Sequence, residues 1–460
     1  MRVAAEDSLS ALDATFLYAE SERTPMHVGA LCVFDRLDRP RDELIEHFER
    51  RSAREPRLRK RLLSVPGELG RPVLVDDEAW DVERHVHLIG GPPYDHERAL
   101  RFAEELIKQP MPRDRPLWHV WLFDMTDDRT GLIMCVHHCL ADGIAGLQLA
   151  MAFLSLEPDE EAPEPAPPPR PRGSTPSTLE LIAGAAAGFV ADQARLARST
   201  VATVRPGGGA PSAVLSASTI AARWLGARLA QRSRGTLFER VGMSRSFATL
   251  ALDLGQVKRI KDHFGCKVND VLLASTTAGV RAALQAQGVP VDAARLTATV
   301  PVNVRVGSDQ AANAVSRLRV TLPVGVAGPV PRLLTIAKHT ATLKGSADVR
   351  TVAGLMRLAS AAPPPVLYAV SKIVGAQASA DLLVTNLAGP PVPLYLLGAR
   401  LHAIYPFAPL AGTTAVCVAI LSYVDGMFVG VSADPRSLPT LDGLVAGMVA
   451  DVEALDEATR

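Results

Sequence analysis

HisHisCysLeuAlaAspGly, residues 137–143, closes an uninterrupted apolar run, GlyLeuIleMetCysVal at 131–136. A short run of this kind reads as a buried strand, and the Asp142-Gly143 pair reads as a tight turn into the next element. Beyond that turn Ile144, Leu147, Met151 and Leu154 stand at helix-face spacing, so a helix is expected over Gly143 to Leu156. Neighbouring side chains at a strand end point opposite ways, so only one of His137 and His138 can face a given cleft. An imidazole there suits general-base chemistry, because its ordinary pKa of about 6.5 lies close to neutrality. Asp142 would brace the loop through backbone donors or an arginine. Two other readings stand beside this one. The histidines could be a strand-end pair satisfied by backbone, with a common Asp-Gly turn after them. Alternatively Cys135, His137, His138, Cys139 and Asp142 could be metal ligands, although Cys135 and His137 share one strand face and His138 lies on the other. With no second ligand cluster elsewhere, no metal and no cofactor are expected.

Outward from this stretch, strand-like and helical runs alternate. MetHisValGlyAlaLeuCysValPhe (26–34), TrpLeuPheAspMet (121–125) and 132–136 read as strands, and Glu43 to Phe48 as part of a helix. A segment from Glu157 to about Ser177 holds eight prolines between Pro158 and Pro176, the composition of an extended linker. Leu179–Val204 is Ala-rich and helical in look, and GlyGlyGly at 207–209 ends it. The mixture then returns, with Asn269–Gln287 helical and 296–304 and 427–432 strand-like. Leu401 to Val424 lacks charge but is broken by Pro406, Pro409 and Gly412, which fits two buried strands joined by a turn better than a membrane span. The expected architecture is therefore mixed α/β (α+β). It has an N-terminal domain over 1–157, a linker or crossover over 158–238, and a second domain of similar construction over 239–460.

Composition excludes several classes. At 460 residues, 48% hydrophobic and 21% charged, the chain can bury a large core and is not a disordered protein. Lys+Arg and Asp+Glu both number 49, so the cation surplus a nucleic-acid binder needs is missing. Five scattered cysteines without a CxxC suggest a reducing compartment. The opening MetArgValAlaAlaGluAspSer lacks an apolar signal core, so a cytoplasmic protein is expected. From Arg195 to Arg234 seven arginines occur without an acid, which suits either a solvated crossover or contact with an anionic membrane surface.

HHxxxDG is the signature of the CoA-dependent and carrier-dependent acyltransferases, and the rest of the chain resembles the bacterial wax ester synthase/diacylglycerol acyltransferase family. The resemblance rests on LeuSerAlaLeuAspAlaThrPhe (9–16), ThrProMetHisValGly (24–29), AspArgProLeuTrp (114–118), ValAsnAspValLeuLeuAla (268–274), ProValAsnValArg (301–305), ThrAsnLeuAlaGlyPro (385–390) and SerTyrValAspGlyMetPheValGly (422–430). It covers nearly the whole chain apart from the Pro-rich linker. Ala388, Ala312-Asn313 and Asn303 depart from the pattern without touching the acid/base residues.

This resemblance implies two domains like chloramphenicol acetyltransferase with an active-site tunnel between them. It implies acyl-CoA as co-substrate and diacylglycerol, or a fatty alcohol, as acceptor. His138 would be the general base and His137, Asp142 and Gly143 would complete the motif. Asn269 is a candidate oxyanion donor, or a cap of the helix after it, and Asp270 beside it is a tunnel candidate. The partner of Asp142 could come from the seven basic residues between Arg50 and Arg61, which could equally form a solvated face or meet CoA phosphates. Trp118 reads as core packing rather than tunnel lining, and His85 and His87 as a surface pair. The expected location is cytoplasmic, either free or peripheral at the inner face of the plasma membrane or on lipid inclusions. Competing readings keep the fold but change the acceptor to a polyketide, glycolipid or amine, or make the chain a non-catalytic lipid-surface protein.

Overall fold

A computed structural model describes residues 7–140, 146, 149, 151–159, 175–203, 241–292, 294, 296–304, 314–344, 362–375 and 380–460. Two six-stranded sheets organise it. The first is built from β1 (His27–Asp35), β4 (Val86–Tyr94), β5 (Trp118–Met125), β6 (Arg129–His137), β11 (Tyr395–Leu396) and β12 (Ala399–Phe407), in the order β11-β12-β1-β6-β5-β4. The second contains β7 (Ser246–Asp253), β8 (Leu296–Val304), β9 (Ala314–Leu322), β10 (Leu382–Ala388), β13 (Val416–Tyr423) and β14 (Gly426–Ala433), in the order β7-β14-β13-β10-β8-β9. A small ribbon pairs β2 (Lys60–Leu63) with β3 (Val73–Asp76).

The two sheets share a strand path. In the first, β1, β6 and β5 pair antiparallel in turn and β5 pairs parallel with β4. In the second, β7, β14 and β13 pair antiparallel and β13 pairs parallel with β10. Each sheet has its own apolar core.

The expected strands at 26–34, 121–125, 132–136, 296–304 and 427–432 all form, as do the helices Arg41–Ser52 and Val268–Ala286. Of the helix expected over Gly143 to Leu156, residues 146, 149 and 151 are helical, but 152–156 leave the helix and Ser155 bridges Tyr395; the remaining positions lie outside the described residues. The uncharged stretch 401–424 does form two strands, but they part company, β12 joining the first sheet and β13 the second. One strand of the 239–460 stretch, β12, thus belongs to the sheet of the N-terminal half. Leu394, Leu396, Leu401, Ile404 and Phe407 are buried in the core of the N-terminal half, because β1 needs an antiparallel partner on its second edge. The stretch 178–203 of the supposed crossover is a helix, Thr178–Thr203.

The sheets meet where β12 lies on β14. A Cβ at Gly430 would sit 1.8 Å from the Pro406 carbonyl oxygen, so only glycine permits this approach. Beside it the Phe247 and Phe407 rings stack at 4.4 Å. Further bridges between the halves are Phe247 N–H donating to Glu104 Oε1 (2.7 Å) and His96 Nε2 with Thr249 Oγ1 (2.6 Å).

His85 is not a surface residue, contrary to the expectation for the His85/His87 pair. It is 1% exposed, bonded through Nδ1 to the Trp118 carbonyl (2.8 Å), and stacked between Trp80 and Trp118. His119 continues the stack and meets His87 Nε2 through Nδ1 at 3.1 Å. Trp118 is fully buried with its indole N–H satisfied by the Leu58 carbonyl (2.7 Å), a core role rather than a tunnel wall. Burial pushes His85 down to about 4; burial and then the charges of His85, His87 and Arg115 push His119 down to about 3. Both are lowered, so the unfolded chain binds the extra protons below about 6.5 and stability is lost as pH falls from there toward 4. Between pH 7 and 5 each is expected to remove roughly 2 kcal/mol. The melting temperature should therefore drop by several degrees over that interval. In His119→Phe the drop should be smaller, and equal melting temperatures at both pH values in the wild type would contradict the neutral stack.

Candidate active site

His137 ends β6 and is in register with His27, the first residue of β1. The backbone holds the pair of histidines from both neighbours. His137 N–H donates to the Leu117 carbonyl at 2.9 Å and His138 N–H to the Met26 carbonyl at 2.8 Å. The ring of His137 is 1% exposed and committed at both nitrogens. Nδ1 accepts from the Cys139 N–H at 3.1 Å, and Nε2 lies 3.2 Å from Glu20 Oε1. Since Nδ1 is an acceptor, the neutral ring carries its proton on Nε2 and donates to Glu20.

Glu20 was not singled out from sequence, yet four groups converge on it. Besides His137, the Met26 N–H donates to Oε1 (3.2 Å), Arg113 donates to Oε2 (2.6 Å), and His27 Nε2 lies 3.7 Å away. Burial pushes its carboxyl up, but the hydrogen bonds from His137, Arg113 and the Met26 amide outweigh this and hold it at about 2. His27, 2% exposed, is driven down to about 4 by burial and then by its neighbour His137. The position arises simply: Ser10 caps the helix Ala11–Ala19 through the Asp13 N–H (3.1 Å), and Glu20 is the residue at its C-terminal cap.

His138 is placed differently from its neighbour. Its ring is half-buried and lies flat on Phe16 of the same helix, with centroids 3.8 Å apart and planes 11° apart. Asp142 and Gly143 lie outside the described residues. The arginine cluster does reach this loop, through Arg57 donating to the Leu140 carbonyl at 3.0 Å. Other members of the cluster have protein partners: Arg59 binds Glu49 (2.6 Å), Lys60 binds Asp7 (2.8 Å) and Arg50 binds Glu46.

Asn269 and Asp270 turn out to have separate roles. Lys267 is the cap position of the helix Val268–Ala286, so Asn269 is inside its first turn and does not cap it. Its Oδ1 accepts from Asn386 Nδ2 of β10 at 2.7 Å, which leaves its own amide NH₂ as the group to donate elsewhere. Asp270 is corrected from tunnel candidate to brace. It is 4% exposed, with one oxygen taken by the Lys267 N–H (2.9 Å) and the other by the Thr340 hydroxyl (2.7 Å). Among the described residues no group of three or more His, Cys, Asp or Glu is arranged to hold a metal ion.

The wax ester synthase/diacylglycerol acyltransferase catalytic domain model matches residues 9–272, and the C-terminal domain model of the same family matches residues 311–456. The chain belongs to this family of acyltransferases. A Mycobacterium tuberculosis protein bearing the name diacylglycerol O-acyltransferase is 29% identical over 471 aligned positions, covering 99% of this chain and 91% of its own. A second protein so named in that organism is 28% identical, covering 93% and 90%. Among solved structures, the wax ester synthase/diacylglycerol acyltransferase of Marinobacter aquaeolei superposes with a TM-score of 0.67 at 24% identity, covering 98% of this chain and 99% of its own. The first condensation domain of the calcium-dependent antibiotic synthetase gives 0.54 at 17% identity, covering 98% and 96%. At those identities the two structures speak for the shared fold.

The Glu20 cluster sets where the His137–His138 loop lies, so Glu20→Ala is expected to reduce the acyl-transfer kcat by roughly 10–100-fold with little change in KM. Glu20→Gln, which keeps an acceptor for His137, should recover part of that loss. Equal effects of the two variants on kcat, or an effect confined to KM, would count against a positioning role.

Proposed function

We propose that this member of the wax ester synthase/diacylglycerol acyltransferase family moves an acyl chain from acyl-CoA to the free hydroxyl of diacylglycerol, making triacylglycerol, with fatty alcohols as second acceptors. The observation that carries the reading is the division of labour between the two histidines. His137 has both ring nitrogens engaged by Cys139 and Glu20, so it cannot take a proton from a substrate without losing the contact that shapes the loop. His138 is the imidazole assigned that work, held face-on against Phe16 at the end of β6.

His138 removes the proton from the acceptor hydroxyl as its oxygen forms a bond to the thioester carbonyl carbon. The carbonyl π electrons move to oxygen, giving a tetrahedral oxyanion, for which the Asn269 amide is the candidate donor, turned by Asn386. The C–S bond then breaks, the carbonyl reforms, and the thiolate of CoA takes the proton from His138. Ester and free CoA leave, and the ring is neutral again. Asp142 and Gly143 are read as the turn that braces the loop. The reaction as written asks for no cofactor beyond acyl-CoA.

The choice of diacylglycerol is supported by the names of the Mycobacterium tuberculosis relatives, and the fatty alcohol by the family's other activity. Because both acceptors dissolve in lipid, the enzyme is read as working at the edge of a membrane or lipid inclusion. No described helix is long and apolar enough to cross a membrane.

Release of free thiol from palmitoyl-CoA, with diacylglycerol, hexadecanol or no acceptor, tests the reading. Acceptor-dependent release is expected, falling about 10²–10⁴-fold in His138→Ala and about 10²–10³-fold in Asn269→Ala. Near-normal turnover without His138 would sink the assignment, and activity restricted to an amine or sugar acceptor would replace the substrate.

A further inference from the structure

The helix Thr178–Thr203 has two unlike faces. One is seated on the N-terminal half: Leu181 is buried, Arg71 binds Asp192 at 2.7 Å, and a Cβ at Gly70 would lie 2.4 Å from that of Ala185. The other face, at Leu179, Ala183, Ala186, Ala187, Val190 and Ala194, is exposed and apolar throughout, with Leu179 77% and Val190 66% accessible. Apart from the adjacent Ala186 and Ala187, successive positions fall three or four residues apart, so they form one stripe along the helix. No charged residue occurs from Leu181 to Ala191.

The helix Pro364–Gly375 does the same thing next to it. Leu367 and Ser371 are buried, whereas Val366 and Val370 are each 49% exposed, with Ala369 exposed beside them. The two helices adjoin, since Ala185, Gly188 and Phe189 share a small crevice with Ala362 and Pro364. Isolated exposed apolar side chains are ordinary, but apolar stripes on neighbouring helices make a patch, and patches mark contact surfaces.

Two observations identify the contacting partner. The first is position. Tyr368 of the second helix packs edge-on against Tyr18 of the helix Ala11–Ala19 (5.1 Å), and Phe16 of that helix stacks on His138. The patch is thus one helix removed from the candidate base. The second is charge. Exposed Lys372 lies on the same helix, and the sequence from Arg195 to Arg234 carries seven arginines and no acid. We propose that these two stripes are the face on which the protein docks, in the plane of the interface, onto an anionic lipid surface, placing His138 beside the layer that holds its acceptor. The purpose assigned to the docking rests on the acyltransferase reading, whereas the docking itself does not.

Flotation of the full chain with vesicles of phosphatidylcholine, alone or mixed with phosphatidylglycerol, tests the proposal. The wild type should float with the mixed vesicles more than with the neutral ones, and less as salt is raised. Leu179→Glu with Val190→Glu, and separately Val366→Glu with Val370→Glu, should each lower the partition coefficient by roughly tenfold. Their thiol release with a water-soluble short-chain alcohol should match the wild type, while turnover of vesicle-borne diacylglycerol falls. Circular dichroism checks folding, and serine at the same positions gives milder variants that should shift binding in the same direction. A wild type that stays unbound, glutamate variants that float like it, or a stripe-dependent dimer seen by light scattering would each overturn the proposal. Stripe-dependent flotation by a protein that releases no thiol would instead refute the acyltransferase reading and leave the docking face standing.

Discussion

Strand β12 is the constraint on which the arrangement depends. It arrives from residues 399–407, yet it pairs along β1, whose other edge pairs with β6. β1 is therefore an interior strand, and its register with both neighbours fixes His27 opposite His137 at one end. If β12 were absent, β1 would become a sheet edge and Leu401, Ile404 and Phe407 would leave the N-terminal core. The same strand touches β14 at Gly430, so one element sets both the first sheet and its contact with the second. The candidate site is thus held partly by chain that lies far along the sequence from HHxxxDG.

The common path β1-β6-β5-β4 and β7-β14-β13-β10 allows positions to be equated. His137 N–H bonds the Leu117 carbonyl, and Asp434 N–H bonds the Ala415 carbonyl in the same way. Val28 faces Val136 as Ser246 faces Ala433, so His27 and His137 correspond to Arg245 and Asp434. The two ends have been put to different uses. Asp434, completely buried, accepts from the Gly242 N–H (2.6 Å) and from Arg436, and its carboxyl stays below the usual range because these bonds outweigh burial. Arg245 reaches across to the Arg23 carbonyl at 2.7 Å, inside the turn between Glu20 and Met26. One half therefore carries the histidines, and the equivalent place in the other half carries ions that clamp the turn supplying Glu20.

Local patterns made much of this visible in the sequence. The strand that carries the histidines, the helix after Lys267 and the strands β8 and β14 are all legible from apolar runs and spacing. The separation of β12 from β13 was not visible, because nothing in a pair of apolar strands says which sheet each will join. Glu20 was hidden for a different reason. It is a single acid at a helix end, and its importance comes from burial beside His137, which is 117 residues away. Asn386 stood inside a recognised block, but its bond to Asn269 also spans 117 residues and has no local signature. Asp270 misled because an acid three residues after the cap position looks the same whether it faces a substrate or reaches back to the Lys267 N–H. His85 misled because its exposure depended on Trp80, which comes from outside the strand to cover it.

The Glu20–His137 pair also limits what kind of machine the loop can be. A carboxylate held at about 2 does not accept a proton near neutrality, so the proton shared with His137 stays on the imidazole. Protonating His137 at Nδ1 would put a donor against the Cys139 N–H and break the bond that turns the chain after the strand. His138 faces the other way and rests on Phe16 rather than on His137. Among the described bonds both His137 ring nitrogens are taken by Cys139 and Glu20, so the carboxylate acts on the loop by orientation. Glu20 steadies the residue before the base, and in the proposed reaction it is His138 that exchanges its proton with the two substrates.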